Sequence, residues 1–300
     1  MLPKLSIIIP SYNQGAYIEE TLLSIINQNY PAKELIVIDG GSTDNSVDII
    51  KRYEQHITYW VSENDNGQSH AINKGFAKAT GDYIAWMNSD DVYSKEAFKV
   101  IFTKPAIEQY DFIFGAVNVG EYVDEKAVYY GFNKKRKLGL YNLLHFFYSA
   151  DYIIPSQSVF IKRDFILQHN IGFLNEGYHY CMDMEWYCRI ALARPLQFEY
   201  TEALSFFRIN NSTKTGSQYF EMQAEAIQVF LNYRKYLNSI QERKMFKLIF
   251  YHRIKNALFR NKINVKINSL LAIAWRLPVY ALSDKRFLGL FKKALFNSCL

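Results

Sequence analysis

Tyr83-Ile84-Ala85-Trp86-Met87-Asn88-Ser89-Asp90-Asp91 passes from five consecutive apolar residues into an amide, a hydroxyl and two carboxylates. A short unbroken apolar run after the turn Gly81-Asp82 predicts a strand buried on both faces, as in parallel sheets. The two carboxylates then fall at its carboxyl end. In an open α/β sheet ligands bind at that end, and adjacent carboxylates there suit a hard divalent cation carrying phosphates. The competing reading is a helix cap, with Asp90 or Asp91 starting a helix that holds Ala97, Val100 and Ile101.

Outward from this stretch, strand and helix patterns alternate. Residues 5–10 read as a buried strand followed by Ile18, Leu22, Ile25 and Ile26 at helical spacing. Residues 35–39 form the next strand, followed by Val47, Ile50 and Tyr53; a third strand over 57–61 leads into a helix over 67–79, and 112–117 is a further strand. The pattern predicts an α/β fold, a mostly parallel central sheet with helices on both faces. The loops 10–15, 39–44 and 88–91 each follow a strand and should meet at one cleft. After residue 120 the pattern loosens: Lys134-Lys135-Arg136-Lys137 reads as an exposed loop, and 138–152 as an aromatic helix. A basic helical C-terminal extension begins near residue 220.

The chain's 300 residues, 49% hydrophobic and 21% charged, exclude a disordered protein. Cys181, Cys188 and Cys299 have no C-x-x-C spacing, which argues against a zinc site or a disulfide framework and for a reducing, cytoplasmic setting. Met1 leads directly into a strand-like run, so a secretory signal peptide is not expected. Residues 231–300 carry fifteen Lys and Arg against two acids, a net +13, while the first 230 residues sum to −7. The tail is also apolar, but Arg276 and Pro278 interrupt a stretch already too short to span a bilayer, which takes about 20 apolar residues. A basic amphipathic tail suits peripheral docking on an anionic membrane surface. The alternative is packing on the main domain or on another subunit, which would make an oligomer. No helix-turn-helix, zinc or stacking-platform pattern points to nucleic acid.

The loops carry the chemistry. In Pro10-Ser11-Tyr12-Asn13, Pro10 ends ladder pairing, and Ser11 and Asn13 supply hydrogen-bonding groups to the cleft. In Asp39-Gly40-Gly41-Ser42-Thr43-Asp44 the glycines allow close backbone approach, Ser42 or Asp44 can cap the next helix, and Asp39 is an acceptor for a base N–H or a ribose hydroxyl. G-x-G-x-x-G follows none of the strands, which argues against a Rossmann dehydrogenase. Residues 10–20 lack the basic, Gly-rich phosphate loop of a nucleotidyltransferase. Around Asp65 and Gly67 the functional reading places Asp65 near a nucleotide, and Lys74, after Asn73, either near phosphate or packed on the loop. His70 reads as structural. In Asp183-Met184-Glu185 the two acids point about 200° apart on a helix. Glu185 can then pair with Arg189 at i, i+4, leaving Asp183 as the candidate base.

Taken in order, Ile7 to Asn13, Val37 to Asp44, Asp65-Asn66-Gly67, Ala71 to Gly75, Ala79 to Tyr83 and Asn88 to Asp91 resemble the family 2 glycosyltransferases. These are inverting enzymes with the A-type glycosyltransferase, or nucleotide-diphospho-sugar transferase, fold. The resemblance spans about residues 4–215. It implies a nucleotide-diphosphate sugar as donor, Mg2+ or Mn2+ as cofactor, transfer of a hexose or related sugar, and a saccharide or lipid-linked saccharide acceptor in surface polysaccharide or glycolipid assembly. It also implies a donor site drawn from Pro10, Ser11, Tyr12, Asn13, Asp39, Gly41, Ser42, Asp65, Gly67, Asn73, Lys74, Asn88, Ser89 and Asp90. Asp39 would bind the base. Asp90, the last acid of an Asp-x-Asp motif written here with Asn88 first, would bind the metal. Met182-Asp183 stands where the family has Glu-Asp or Thr-Asp, making Asp183 the general base. Pro155-Ser156-Gln157-Ser158 resembles an acceptor-side segment, and Arg208 with Ser212-Thr213-Lys214 a loop near the diphosphate. The expected division is a catalytic domain over 1–220, with a donor half to 118 and an acceptor half over 119–220, then the tail over 221–300. A non-catalytic nucleotide-sugar-binding or scaffold protein of the same fold is the rival reading.

Overall fold

The computed structural model describes residues 1–121, 128–130, 137–145, 154–197, 202–209 and 219–259. The chain begins β1 (Leu5–Ser11), α1 (Ile18–Ile26), β2 (Lys33–Asp39), α2 (Ser46–Arg52), β3 (Tyr59–Ser62), α3 (Gln68–Lys78) and β4 (Tyr83–Trp86). There follow β5 (Val92–Tyr93), α4 (Ala97–Phe102), β6 (Phe112–Phe114), β7 (Ala116–Gly120), β8 (Val128–Tyr130), β9 (Lys137–Leu138) and α5 (Leu140–Leu144). Next come β10 (Val159–Lys162), α6 (Arg163–Gln168), α7 (Met182–Ala193), β11 (Leu196–Gln197) and β12 (Ala203–Arg208). The helices α8 (Tyr219–Tyr233) and α9 (Ser239–Phe259) complete the described chain.

The main sheet has the order β3-β2-β1-β4-β10-β6. Its first four strands are parallel, and β10 runs antiparallel to both neighbours. Every residue of β1 and of β4 is buried, which explains why both read as unbroken apolar runs. A second sheet, β5-β12-β7-β8, and the pair β9-β11 flank it.

The expected strand over 112–117 is two strands in different sheets. The chain changes sheet at Gly115, where a Cβ would meet Leu204 Cδ1 at 2.2 Å. The third strand lies at 59–62 rather than 57–61, and the helix expected over 138–152 is seen at Leu140–Leu144. Residues 146–153 and most of the 134–137 loop lie outside the described residues.

An aromatic cluster seats α7 against the sheet. Trp186, fully buried, lies 5.9 Å from Trp86 of β4 and 5.4 Å from Phe76 of α3, ring centre to ring centre. At the amino edge of the sheet the buried Glu34 accepts from Ser6 Oγ (2.5 Å), Thr80 N (2.6 Å) and Thr80 Oγ1 (2.8 Å), and pairs with Lys4 (2.6 Å). Burial favours its neutral form, but these bonds outweigh burial and hold its pKa at about 2.

Residues Met1–Phe146 and Ala150–Val229 make one compact unit, and the chain from Phe230 onward makes most of a second. In the second, Phe230 packs edge-on against Phe246 at 5.2 Å. Among the described residues no helix is long and apolar enough to cross a membrane. Residues 260–300 lie outside them.

Candidate active site

Four parallel strands place the loops after β1, β2, β3 and β4 on one edge. The first two are joined by hydrogen bonds. Gly40 N donates to Ser11 O (2.8 Å), Asn13 N to Ser42 Oγ (2.8 Å) and Thr43 N to Asn13 Oδ1 (2.9 Å). Asn13, expected to offer its side chain to the cleft, thus commits its oxygen to the neighbouring loop. Asp44 accepts from Gly15 N (2.9 Å) and Ser46 N (2.9 Å) and braces the chain before α2, but the N-cap there is Asn45 rather than Ser42 or Asp44.

Asp39 is 0% exposed, and its carboxylate organises the loop after β2. Oδ2 accepts from Gly41 N (3.2 Å), Ser42 N (2.9 Å) and Ser62 Oγ (2.7 Å), and Oδ1 from Ser42 Oγ (2.5 Å). Of about four acceptor positions on a carboxylate, all but one on Oδ1 are taken. The loop closes tightly because Gly41 adopts φ 82°, where most side chains are strained. Beside it, the Ser11 hydroxyl is buried with no hydrogen-bond partner among the described residues, while the ring of Tyr12 is 61% exposed.

Beyond β3, Asp65 Oδ1 accepts from Gly67 N at 2.7 Å, shaping the turn into α3. His70 is structural here, its Nδ1 accepting from Asn66 N at 3.1 Å. Lys74 is paired with Glu63, so it packs on the loop, and Glu63 is held below its ordinary pKa by that bond. Asn73 differs from expectation. Its Nδ2 donates to Leu174 O and Glu176 Oε1, and its Oδ1 accepts from Leu174 N, each at 2.9 Å. Asn73 therefore fastens the loop before α7, and its amide is spent there rather than on a nucleotide.

The turn after β4 separates the two neighbouring acids. Asp91 is fully buried: Oδ1 accepts from Arg208 N (2.9 Å), and Oδ2 from Asn88 Nδ2 (3.0 Å) and Gln157 Nε2 (2.9 Å). Burial and the charge of Asp90 push its pKa up, against those three bonds. Arg208, buried at the end of β12, also donates to Asp90 O (2.9 Å) and pairs with Glu20. Neither acid caps α4, whose N-cap is Glu96 in a left-handed conformation. Asp90 is half-exposed and Ser89 buried. Ser212-Thr213-Lys214 lie outside the described residues.

Asp183 occupies the first turn of α7, half-exposed, with Oδ1 accepting from Met184 N at 2.7 Å. Burial raises its pKa to about 6; the amide of Met184 opposes this and the charge of Glu225 adds to it. Glu185 is buried and paired with Arg189 (2.8 Å), as the i, i+4 spacing predicts. The first turn of α3 links the two halves of the site. Gln68 Nε2 donates to Asn88 Oδ1 (2.9 Å), while Ser69 Oγ contacts Tyr178 O (3.1 Å) and Met182 Sδ (3.0 Å).

A family model described as glycosyl transferase family 2 matches residues 6–166, more than half of the chain. The chain belongs to glycosyltransferase family 2. Within this family it is 39% identical over 99 residues to the putative teichuronic acid biosynthesis glycosyltransferase TuaG of Bacillus subtilis, a match covering 31% of this chain and 38% of TuaG. It is 28% identical over 225 residues to an uncharacterized glycosyltransferase of Rickettsia typhi, covering 72% and 67%. The match to TuaG thus spans well under half of that relative. The chain also superposes on S. aureus TarS 1-349 in complex with UDP-GlcNAc, with TM-score 0.64 and 18% identity, covering 93% of this chain and 82% of TarS 1-349. For the mannosyltransferase PcManGT of Pyrobaculum calidifontis in complex with GDP-Man and Mn2+ the values are 0.58 and 18%, covering 100% and 84%. These likenesses show the fold, the α/β architecture of nucleotide-sugar transferases.

A family 2 enzyme of this kind implies a divalent cation, and the donor set here limits how one could be held. Among the described residues no three His, Cys, Asp or Glu side chains are grouped as metal ligands. Asp91 is buried with both oxygens engaged inside the turn, whereas Asp90 beside it is half-exposed, which makes Asp90 the candidate carboxylate. One carboxylate fits the mode in which Mg2+ keeps waters and takes its remaining ligands from substrate phosphates.

Two side chains that organise this family 2 site, Ser69 and Glu225, went unread in the sequence, and Gln157, read there only within an acceptor-side segment, bonds to Asp91. Each acts through a partner more than forty residues away, and no local pattern announces such a bond.

Proposed function

We propose that this chain moves a sugar, a hexose or a close relative, from a nucleoside diphosphate donor to an acceptor hydroxyl with inversion at the anomeric carbon. The observation that carries the reading is the first turn of α3, bonded to Asn88 of the Asp90 turn through Gln68 and to the residue before Asp183 through Ser69. In this reading a carboxylate that holds a diphosphate-bound cation and one that abstracts a proton lie on the two sides of that helix turn.

In this reading the donor lies on the loops after β1 to β4. The exposed ring of Tyr12 flanks the base, and the unpartnered hydroxyl of Ser11 and the remaining acceptor position of Asp39 face it. Asp90 would hold Mg2+ or Mn2+, which when bound neutralises charge on a departing diphosphate. Asp183 removes the proton of the acceptor hydroxyl. With a pKa of about 6 it is about nine-tenths ionised at pH 7 yet still basic enough to take a proton.

The acceptor is a saccharide or lipid-linked saccharide of a cell-surface polysaccharide, a reading supported by the relative named for teichuronic acid biosynthesis. The division at 220, the cytoplasmic setting and peripheral docking of the basic tail on an anionic membrane belong to the same proposal. The test is a screen of nucleotide sugars for hydrolysis and transfer with Mg2+ or Mn2+. Donor turnover that disappears in Asp183→Asn, with donor binding intact by calorimetry, supports the reading; near wild-type turnover in that variant removes Asp183 from the mechanism.

A further inference from the structure

The backbone just before α7 is held by a residue far along the chain. Glu225, on α8, accepts three successive backbone N–H groups: His179 on Oε1 (2.8 Å), and Tyr180 (2.7 Å) and Cys181 (2.9 Å) on Oε2. One turn earlier on α8, the carbonyl of Met222 accepts from the Cys181 thiol at 3.3 Å. Cys181 is the N-cap of α7, and Asp183 is the second residue of that helix.

Other fastenings come from α3 and from α7 itself, and one of them, Ser69 Oγ to Met182 Sδ (3.0 Å), reaches the first residue of α7. Asn73 and Ser69 of α3 reach Leu174, Glu176 and Tyr178, while Trp186 and Arg189 of α7 reach the carbonyls of Gly172, Ile171 and Phe173. Glu225 takes the next three residues, up to the cap itself. A carboxylate is well suited to that place, because it lies beside the start of α7, where the helix presents partial positive charge. Charge-assisted bonds from one carboxylate to three successive amides fix the position and the direction of the chain there.

We propose that Glu225 is a positioning residue for the catalytic base: it holds the first turn of α7, and Asp183 with it, where the acceptor hydroxyl is delivered. Glu225 holds Asp183 through the backbone of 179–181, its charge also favouring the protonated form of Asp183, and takes no part in the proton transfer. The proposal rests on Asp183 being the base.

Glu225→Gln keeps the size of the side chain but replaces one acceptor oxygen with a donor NH2 facing an amide. Glu225→Asp keeps the carboxylate on a stem one methylene shorter. With a nucleotide sugar that the wild-type enzyme turns over, Glu225→Gln is expected to lower kcat on the order of 10²-fold while donor KM stays within about threefold, as when a reacting group is misplaced by about 1 Å. Glu225→Asp should recover part of that loss. Calorimetric binding of the donor nucleotide, unchanged in both variants, reports that the rest of the site is folded. An unimpaired kcat in Glu225→Gln, a parallel loss of donor binding, or no recovery in Glu225→Asp overturns the proposal. Asp183→Asn, measured alongside, separates the two claims. If it is inactive while Glu225→Gln is unimpaired, the role of Glu225 alone falls; if it is active, the assignment of the base falls first.

Discussion

Asp90 and Asp91 are adjacent, yet their surroundings give them opposite duties. Asp91 accepts from the Arg208 backbone amide, the Asn88 side-chain amide and Gln157 in a buried turn, so Asp91→Ala removes a shared acceptor from three donors. Each buried donor left unpaired costs about 1–3 kcal/mol, and a loss of several kcal/mol in denaturant unfolding is expected. Asp90→Ala, at a half-exposed position, should change stability by only about 0.5 kcal/mol and instead abolish metal-dependent donor binding, which calorimetry with and without Mn2+ reads directly. Asp183 differs from both. Its pKa is raised to about 6, so the ionised form that the proposed base requires is lost as the pH falls through that value. The rate kcat/KM should drop toward tenfold per pH unit below about pH 6. Because burial disfavours the charged form, Asp183→Asn should melt no lower than wild type at pH 7 while losing activity.

At the scale of elements, the amino and carboxyl edges of the sheet are stabilised differently. Glu34 ties β1, β2 and the turn before β4 together at the amino edge. Its folded pKa of about 2 lies below its ordinary 4.5, so its contribution is fully present above pH 4.5 and is lost as the pH falls toward 2. That contribution is at most about 3 kcal/mol, and Glu34→Gln should flatten the acid limb of a stability curve measured by urea melts. On the other edge α3 joins the Asp90 turn to the loop before α7. The change of sheet at Gly115 shows how such placement depends on a distant neighbour: Gly115→Ala would drive a methyl group into Leu204, costing about 1–3 kcal/mol.

For the whole molecule, charge is divided as sharply as chemistry, with +13 on residues 231–300 and −7 on the rest. Membrane docking of that tail predicts binding to vesicles containing anionic lipid, weakened by salt because exposed charges are screened beyond about 8 Å at physiological ionic strength. Reversing Lys285, Arg286, Lys292 and Lys293 to Glu should abolish co-sedimentation with such vesicles. Equal binding before and after reversal would refute the membrane reading. Strands, most helices and the shared edge of the loops were legible in the chain, because apolar runs, helical spacing and turn residues are properties of a few neighbours. Asn73 and Glu225 were not, since the 174–176 loop and the 179–181 amides lie about 100 and 45 residues from them. The sequence by itself determined an α/β sheet with acids at its carboxyl edge and a basic tail. Only the tertiary structure decided that Asp91 spends both its oxygens on the fold and Asp39 all but one acceptor position, while Asp90 and Asp183 stand half-exposed, because a carboxylate's chemistry depends on which distant donors folding brings against it.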